Sequence, residues 1–158
     1  MTKEEITNLI KELIEKTKVK MGGITVVEDD QTNTWFSVEV DEPHFFVSHD
    51  GEALFALNHI VRRIVEGKTK EPVLNENTRN ILIDINGFQK KRVENVRAVA
   101  HMMSERARYF KSNIEVDPMS AFERRIVHEF LSNAVDLKTE SVGFGPTRRV
   151  VIKYIGTI

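Results

Sequence analysis

The feature of this sequence that most restricts its fold is a long apolar seam within residues 88–111. Apolar side chains recur there at alternating spacings of three and four residues, at Val93, Val96, Ala100, Met103, Ala107 and Phe110. This period predicts one long helix with a single buried face. Such a face has to be covered by other elements, so the segments around it are expected to supply strands and shorter helices.

Before this seam, helical periods alternate with runs of β-branched and aromatic residues. The predicted elements are a helix over 3–17, a hairpin over 23–29 and 33–40, a short helix over 42–47, a helix over 52–65 and a strand over 79–87. A polar, turn-rich loop is predicted over 67–78. The order of this half is therefore α-β-β-α-α-β.

After the seam the predicted order is α-β-α-β-β, counting the long helix first. Ser120 and Glu123 form a capping-box pattern that predicts a helix start. The segments "LKTESVGF" and "RRVVIKYI" read as two strands joined by a glycine-rich bend. We therefore predict an α+β protein with two small domains, residues 1–87 and residues 88–158.

The charges of the two predicted domains differ in sign. Residues 1–87 hold 10 Lys and Arg against 16 Asp and Glu, a net charge of −6, whereas residues 88–158 hold 13 against 8, a net charge of +5. An asymmetry of this kind is typical of a nucleic-acid-binding module beside a second domain. Two unrelated domains with ordinary surfaces are the alternative.

Several classes of protein are disfavoured by composition and pattern. The chain has no cysteine, no unbroken apolar run of about 18 residues, and an acidic, amphipathic start unlike a secretory signal. A cytoplasmic protein without a membrane span is expected. The five histidines fit no metal-ligand pattern, and no catalytic signature is present. We expect no enzyme activity, no cofactor and no metal site.

The segment "SAFERRIVHEFLSN" carries the most specific candidate site. Arg124 and His128 lie four residues apart, so a helix places both on one face. A guanidinium beside an imidazole suits a phosphate, because both groups offer N–H donors. The structural alternative is that Arg125 pairs with Glu129 while His128 packs half-buried against the neighbouring sheet.

Further cations surround this candidate site in the sequence. Arg148 and Arg149 begin the last strand next to a glycine-rich bend, and Lys91 and Arg92 begin the long helix. Basic residues drawn from several elements are typical of phosphate-backbone binding. Between Gly143 and Gly145, Phe144 is predicted either to stack on a base or to fill the core.

The sequence also resembles a known family. Arg124-x-x-x-His128 matches the signature of the R-3-H domain, and "MSAFERRIVHEFL" followed by "KTESVGFGPTRRVVI" resembles the C-terminal part of the Jag (SpoIIIJ-associated) proteins, also called KhpB or EloR. The segment "DINGFQKKR" is similar to the strand and helix start that precede it there. The resemblance implies binding of single-stranded RNA or DNA, with Arg124 and His128 at phosphates and Arg148 and Arg149 as their neighbours. Arg125, on the same helix, is also a candidate nucleic-acid-binding residue.

In this family a type II KH domain precedes the R-3-H domain, which implies a KH-like first domain. KH domains hold a nucleic-acid backbone with a Gly-x-x-Gly loop between two helices. Here that place is taken by Ser48, His49, Asp50 and Gly51. A serine in place of the first glycine restricts the backbone, and the aspartate carries a negative charge where a phosphate would lie. Little binding is therefore expected from this degenerate loop.

The resemblance further implies a small single-KH-domain protein as a partner and a role in cell envelope growth or division. The sequence enters the first predicted helix almost directly, so we expect the N-terminal Jag domain of the family to be absent. The predicted function is single-stranded nucleic-acid binding, with RNA as the expected target, mainly through the R-3-H domain. The alternative is a protein-interaction scaffold with little nucleic-acid binding.

Overall fold

The structure is a computed structural model that describes residues 1–29, 33–68 and 80–156. It combines helices with two three-stranded sheets, which confirms the predicted α+β class. The chain divides into two compact units, Met1–Lys90 and Lys91–Ile158. The division falls in the first turn of the long helix, three residues after the predicted boundary.

The first unit consists of helices and one mixed sheet. Its elements are α1 (Lys3–Lys16), β1 (Met21–Glu28), β2 (Thr34–Val40), α2 (His44–Lys68) and β3 (Ile81–Ile85). The sheet order is β1-β2-β3, with β1 antiparallel to β2 and β2 parallel to β3. The loop predicted over 67–78 lies outside the described residues from residue 69 onward.

The core of the first unit forms because α1 and the sheet each present one apolar face. A capping box between Thr2 and Glu5 starts α1. The helical period then places Ile6, Ile10 and Ile14 on the buried side. Alternation along the strands directs a second set of side chains into the same core, including Phe36, Val38, Ile81, Ile83 and Ile85.

Helix α2 is interrupted at the four residues of the degenerate loop. Ser48 is extended, and His49, Asp50 and Gly51 follow with φ values of 51°, 61° and 83°. The two predicted helices around this loop are therefore separated by a left-handed turn. Gly51 is buried, and a Cβ atom there would lie 2.6 Å from Cε1 of Phe88, so both backbone and packing require glycine.

The second unit contains most of α3 and an antiparallel sheet. Its elements are α3 (Phe88–Phe110, starting in the first unit), β4 (Ile114–Glu115), α4 (Ala121–Leu131), β5 (Leu137–Val142), a 3₁₀ turn (Gly145–Thr147) and β6 (Arg149–Tyr154). The sheet order is β4-β6-β5, and α4 contacts β5 and β6.

The predicted apolar seam of α3 is buried over most of its length. Its buried members are Val93, Val96, Ala100 and Ala107. The inclusion of Phe110 was wrong, since this side chain is 60% exposed and packs edge-on against Tyr109. The helix ends at Phe110, and Lys111 follows at positive φ. The buried stripe therefore stops before the last residue of the helix.

Candidate nucleic-acid interface

The first turn of α4 is held by a capping box and an ion pair. The Ser120 hydroxyl accepts from the Glu123 amide at 3.3 Å, and Glu123 accepts from the Ser120 amide at 2.9 Å. Glu123 also accepts from Nε of Arg92 at 3.0 Å. Burial opposes ionisation of Glu123, but the bonds from Ser120 and Arg92 outweigh it and lower its pKa. The start of α4 is thus fixed in place.

The side chain of Arg124 is held by a nearby backbone carbonyl group. It donates through Nη1 to the carbonyl oxygen of Met119 at 2.8 Å. The amide of Met119 in turn donates to the carbonyl oxygen of Arg148 at 3.2 Å. Through Met119, the first turn of α4 is connected with the residue that precedes β6. Arg124 and Arg148 therefore belong to one local network, although 24 positions separate them in the sequence.

His128 lies on the side of α4 that faces β5. Its Nδ1 is 2.6 Å from the hydroxyl oxygen of Thr139, and its Nε2 is 2.9 Å from that of Ser141. Thr139 and Ser141 alternate along β5 and so share one face. Burial and, second, the positive charge of Arg124 lower the pKa of His128. Near neutral pH the ring is therefore mostly neutral, and Arg124 carries the positive charge of the pair.

Arg125 forms an ion pair with its own helix. Its Nε lies 3.4 Å from Oε1 of Glu129, at an angle that does not make a hydrogen bond, and its guanidinium lies 5.9 Å from the ring centre of Phe122. The Arg125–Glu129 pair and the half-buried His128 are the two contacts that the structural alternative predicted. Of the three basic side chains in the motif, Arg124 is the one with neither a carboxylate nor a hydroxyl partner in the described structure.

Arg148 and Arg149 have different surroundings despite being adjacent. Nη1 of Arg148 donates to the carbonyl oxygen of Gly143 at 3.4 Å, while its buried Nε has no hydrogen-bond partner in the described structure. Arg149 instead pairs with Glu115 of β4, with Nε 2.8 Å from Oε2. The charge of Arg149 is therefore partly neutralised by the protein.

The bend between β5 and β6 presents an aromatic ring to solvent. Phe144 is 89% exposed, so the alternative that it fills the core is wrong. Gly143 and Gly145 on either side have φ values of 91° and 53°. The bend also contains Gly143, whose carbonyl oxygen accepts from Arg148. The exposed ring thus directly follows a residue that is hydrogen-bonded to Arg148.

The comparison with known families decides what the second unit contains. The model of the R-3-H domain family matches residues 94–154, which include both Arg124 and His128. Residues 94–154 are thus similar in sequence to R-3-H domains. The candidate interface built from α4, β5 and the bend before β6 lies within this domain.

Related proteins extend the similarity beyond the R-3-H domain. The chain is 24% identical over 128 residues to the RNA-binding protein KhpB of Clostridium symbiosum, covering 80% of this chain and 55% of the relative. It is 31% identical over 78 residues to KhpB of Bacillus subtilis, covering 48% of this chain and 38% of the relative. KhpB of Streptococcus pneumoniae is 24% identical over 115 residues, covering 73% of this chain and 33% of the relative.

These relatives confirm the resemblance to the Jag family. The chain spans about half or less of the length of the curated relatives it matches. The similarity to the Clostridium protein covers 128 residues, which exceeds the length of the second unit, so it continues into the first.

The remaining predicted site residues lie at the edge of the R-3-H domain or in the first unit. Lys91 is exposed on the first turns of α3, whereas the neighbouring Arg92 is half-buried against Glu123. In the degenerate loop, Ser48, His49 and Asp50 are exposed and Gly51 is buried. The structure therefore leaves Lys91 available to a ligand and commits Arg92 to α4.

The first unit also contains an open cavity of about 530 Å³ beside β2 and β3. Its lining includes three acidic residues, Glu39, Asp41 and Asp84, and one basic residue, Lys90. This balance of charge is unfavourable for a phosphate. Over the described ranges of the chain, no cluster of side chains suits a metal ion. The helices within these ranges are each too short or too polar to span a membrane.

Sequence reasoning missed the partners that position the R-3-H motif. Met119 acts through its backbone groups, and Thr139 and Ser141 act through their hydroxyls. The alternation of hydroxyl residues in "KTESV" was an available signal, because residues two apart on a strand share a face. Nothing local in the sequence indicates the role of Met119.

Proposed function

We propose that this chain binds single-stranded nucleic acid, with RNA as the main target, through phosphate contacts of its R-3-H domain. The observation that carries the proposal is a difference among six arginines that lie in this domain or next to it. Arg92, Arg108, Arg125 and Arg149 form ion pairs with carboxylates. Arg124 and Arg148 have backbone carbonyl partners and no carboxylate partner within the described structure.

An arginine without a carboxylate partner keeps both its charge and its directional donors for a ligand. Two oxygens of a phosphate group can accept two parallel N–H bonds from one guanidinium, and charge-assisted bonds of this kind are the stronger ones. The bonds to Met119 and Gly143 orient the two guanidinia before a ligand arrives. Pre-orientation lowers the entropy lost on binding. Arg124 and Arg148 are accordingly the principal phosphate contacts that we propose.

The other predicted residues take supporting roles in this proposal. His128 holds the face of β5 through Thr139 and Ser141 and thereby positions Arg124 relative to the bend. Lys91 adds an exposed positive charge. Arg125, Arg149 and Arg92 contribute long-range attraction, reduced by the carboxylates with which they pair. The names of the relatives, each an RNA-binding protein, support RNA as the ligand and a binding role without catalysis.

The first unit contributes little affinity in this proposal. Residues 1–87 carry a net charge of −6, and Asp50 is exposed in the degenerate loop. A negative surface repels a phosphate backbone. Cytoplasmic location, a single-KH partner and an envelope role stay predictions drawn from the resemblance and the composition.

Fluorescence anisotropy on the full chain tests the proposal, with labelled single-stranded RNA of several sequences. Arg124→Ala and Arg148→Ala should each weaken binding about 10-fold or more for every sequence, since each removes a charge-assisted bond to a phosphate. The slope of log affinity against log salt should become shallower by roughly one for each phosphate that the variant no longer binds. Circular dichroism checks that each variant remains folded.

Arg125→Ala is the matched control, because it removes one positive charge from the same helix but from a residue paired with Glu129. Its effect on affinity should be several-fold smaller. Equal decreases in affinity for all three variants would mean that net charge alone determines binding. Absence of binding by the unaltered chain would overturn the proposal and favour a protein-interaction scaffold.

A further inference from the structure

The bend that carries Phe144 is a well-fixed piece of backbone. The carbonyl oxygen of Phe144 accepts from the Thr147 amide at 3.2 Å and from the Thr147 hydroxyl at 2.8 Å. At Gly143, a Cβ atom would lie 3.1 Å from the carbonyl oxygen of Thr147, so the two arms of the bend cross closely. Pro146 stands in the 3₁₀ turn and restricts its φ angle. The position of Phe144 is therefore set before any ligand binds.

The ring on this fixed bend has no packing role in the described fold. It is 89% exposed, and it has no ring or cation contact with any residue that the structure describes. An exposed phenyl ring gains no burial energy for folding. The ring is therefore available to be covered by a ligand.

The base of the bend is also joined by hydrogen bonds to Arg148 and, through Met119, to Arg124, two arginines without a carboxylate partner in the described structure. Gly143, the residue before Phe144, accepts from Arg148, and the backbone of Arg148 is bonded to Met119. Met119 in turn accepts from Arg124. An unbroken series of hydrogen bonds thus connects the base of the bend with both guanidinia.

This combination matches the two chemical parts of one nucleotide. Its phosphate needs N–H donors with positive charge, and its base needs a flat apolar surface. We infer that Phe144 is a stacking site for an unpaired nucleobase whose neighbouring phosphates are held by Arg124 and Arg148. The inference rests on the proposed function and adds the base as a second recognised group.

A nucleobase fits this surface better than an apolar protein segment. The cations connected with the base of the bend favour a ligand with negative charge, and a stacked base exposes its edges to water on the open side of the bend. Every base has a π-face, so stacking here adds affinity for single strands without selecting a sequence. Paired bases are already stacked in a duplex and cannot cover the ring.

The test compares two labelled single-stranded oligomers of equal length and charge, one with bases and one abasic throughout. The unaltered chain should bind the base-bearing oligomer between about 5-fold and about 100-fold more tightly, the range expected for one aromatic stack. Phe144→Ala should remove most of this preference and leave binding of the abasic oligomer and the salt slope unchanged. Phe144→Trp should keep the preference, and its added indole fluorescence should be quenched by the base-bearing oligomer.

Tyr109→Ala is the matched control, since Tyr109 is another exposed aromatic residue of this unit, 82% exposed at the end of α3. It should leave the preference for bases intact. A Phe144→Ala variant that retains the full preference would overturn the inference while the phosphate contacts stand. Failure of the unaltered chain to bind either oligomer would instead overturn the proposed function itself.

Discussion

Nε2 of His128 lies 2.9 Å from the hydroxyl oxygen of Ser141, which is the last residue but one of β5. The histidine that gives the R-3-H motif its name is thus engaged by the protein and fastens α4 to the strand that leads into the bend. Of the two named positions of the signature, His128 therefore supports the fold, whereas Arg124 has no carboxylate partner in the described structure and is the phosphate contact that we propose.

The role of His128 predicts a specific pH dependence of stability. Its pKa is lowered in the folded protein, mainly by burial, so the unfolded state binds the proton more readily. The free energy of unfolding should fall as the pH drops below the unfolded pKa of 6.5 and stop falling once the folded pKa has been passed. The His128→Gln variant should not show this fall in stability with decreasing pH. It should also be less stable than the unaltered protein near neutral pH, by about 1–2 kcal/mol.

Urea denaturation of both proteins between about pH 7 and about pH 5 measures this difference. The other histidines are the same in both proteins, so their contributions cancel. If both proteins lose equal stability over this range, the assignment of the effect to His128 is wrong.

Substitutions at two neighbouring residues at the start of α3 should have different effects, one on the affinity for RNA and the other on the free energy of unfolding. Lys91→Ala should weaken RNA binding several-fold with little change in the free energy of unfolding, because its side chain is exposed. Arg92→Ala should lower the free energy of unfolding by about 1–3 kcal/mol, because it leaves the half-buried Glu123 without its ion-pair partner. Anisotropy and denaturant titrations on both variants check this, and the reverse ranking would contradict it.

Asp84 in the first unit predicts a stabilising substitution. This carboxyl is 1% exposed, and burial raises its pKa. Its Oδ1 accepts from the Gln89 amide at 2.8 Å, while Oδ2 has no hydrogen-bond partner among the described residues. Asp84→Asn keeps the acceptor and removes the buried charge, so near neutral pH it should raise the free energy of unfolding by about 1 kcal/mol.

The sign of this effect depends on pH. Because the pKa of Asp84 is raised by folding, this carboxyl stabilises the folded state at pH values below its pKa in the unfolded chain, 3.8. That stabilisation is lost as the pH rises through the pKa of the folded state. The advantage of Asp84→Asn should therefore shrink in acid. Asp84→Ala, which also removes the acceptor, is the control and should be destabilised by about 1 kcal/mol. A destabilised Asn variant at neutral pH would refute the argument.

The left-handed turn inside α2 predicts opposite effects for two nearby substitutions. His49 has a φ of 51°, which is unfavourable for a residue with a side chain, so His49→Gly should be neutral or stabilising by about 1 kcal/mol. Gly51→Ala should be destabilising by more than about 1 kcal/mol, since its φ is 83° and its new Cβ would meet Phe88. Thermal denaturation of both variants measures these changes in stability. Destabilisation by His49→Gly would show that the imidazole has a structural role.

Features with local causes were predictable from the sequence. The long helix was expected over 88–111 and spans Phe88–Phe110, because a spacing of three and four residues acts along a single element. The capping box of Ser120 and Glu123 was expected and is present, since its two groups are three residues apart. The resemblance to the Jag family also followed from a contiguous run of residues.

The choice of ionic partners could not be predicted in the same way. Arg149 pairs with Glu115, 34 residues away, and Arg108 pairs with Asp136, 28 residues away. In a chain with 30% charged residues, many pairings are compatible with one sequence. Exposed pairs differ by only about 1 kcal/mol, so the fold determines which of them form.

By itself, therefore, the sequence determined the class of the fold, the order of its elements and the basic character of the R-3-H half. These properties depend on the periodicity of apolar residues and on the number of charged residues, neither of which changes with the tertiary structure. The tertiary structure decided which arginines remain available, that His128 is engaged by β5, and that Phe144 faces solvent. Each of these outcomes depends on distances between residues far apart in the chain, which exist only once the two sheets have formed.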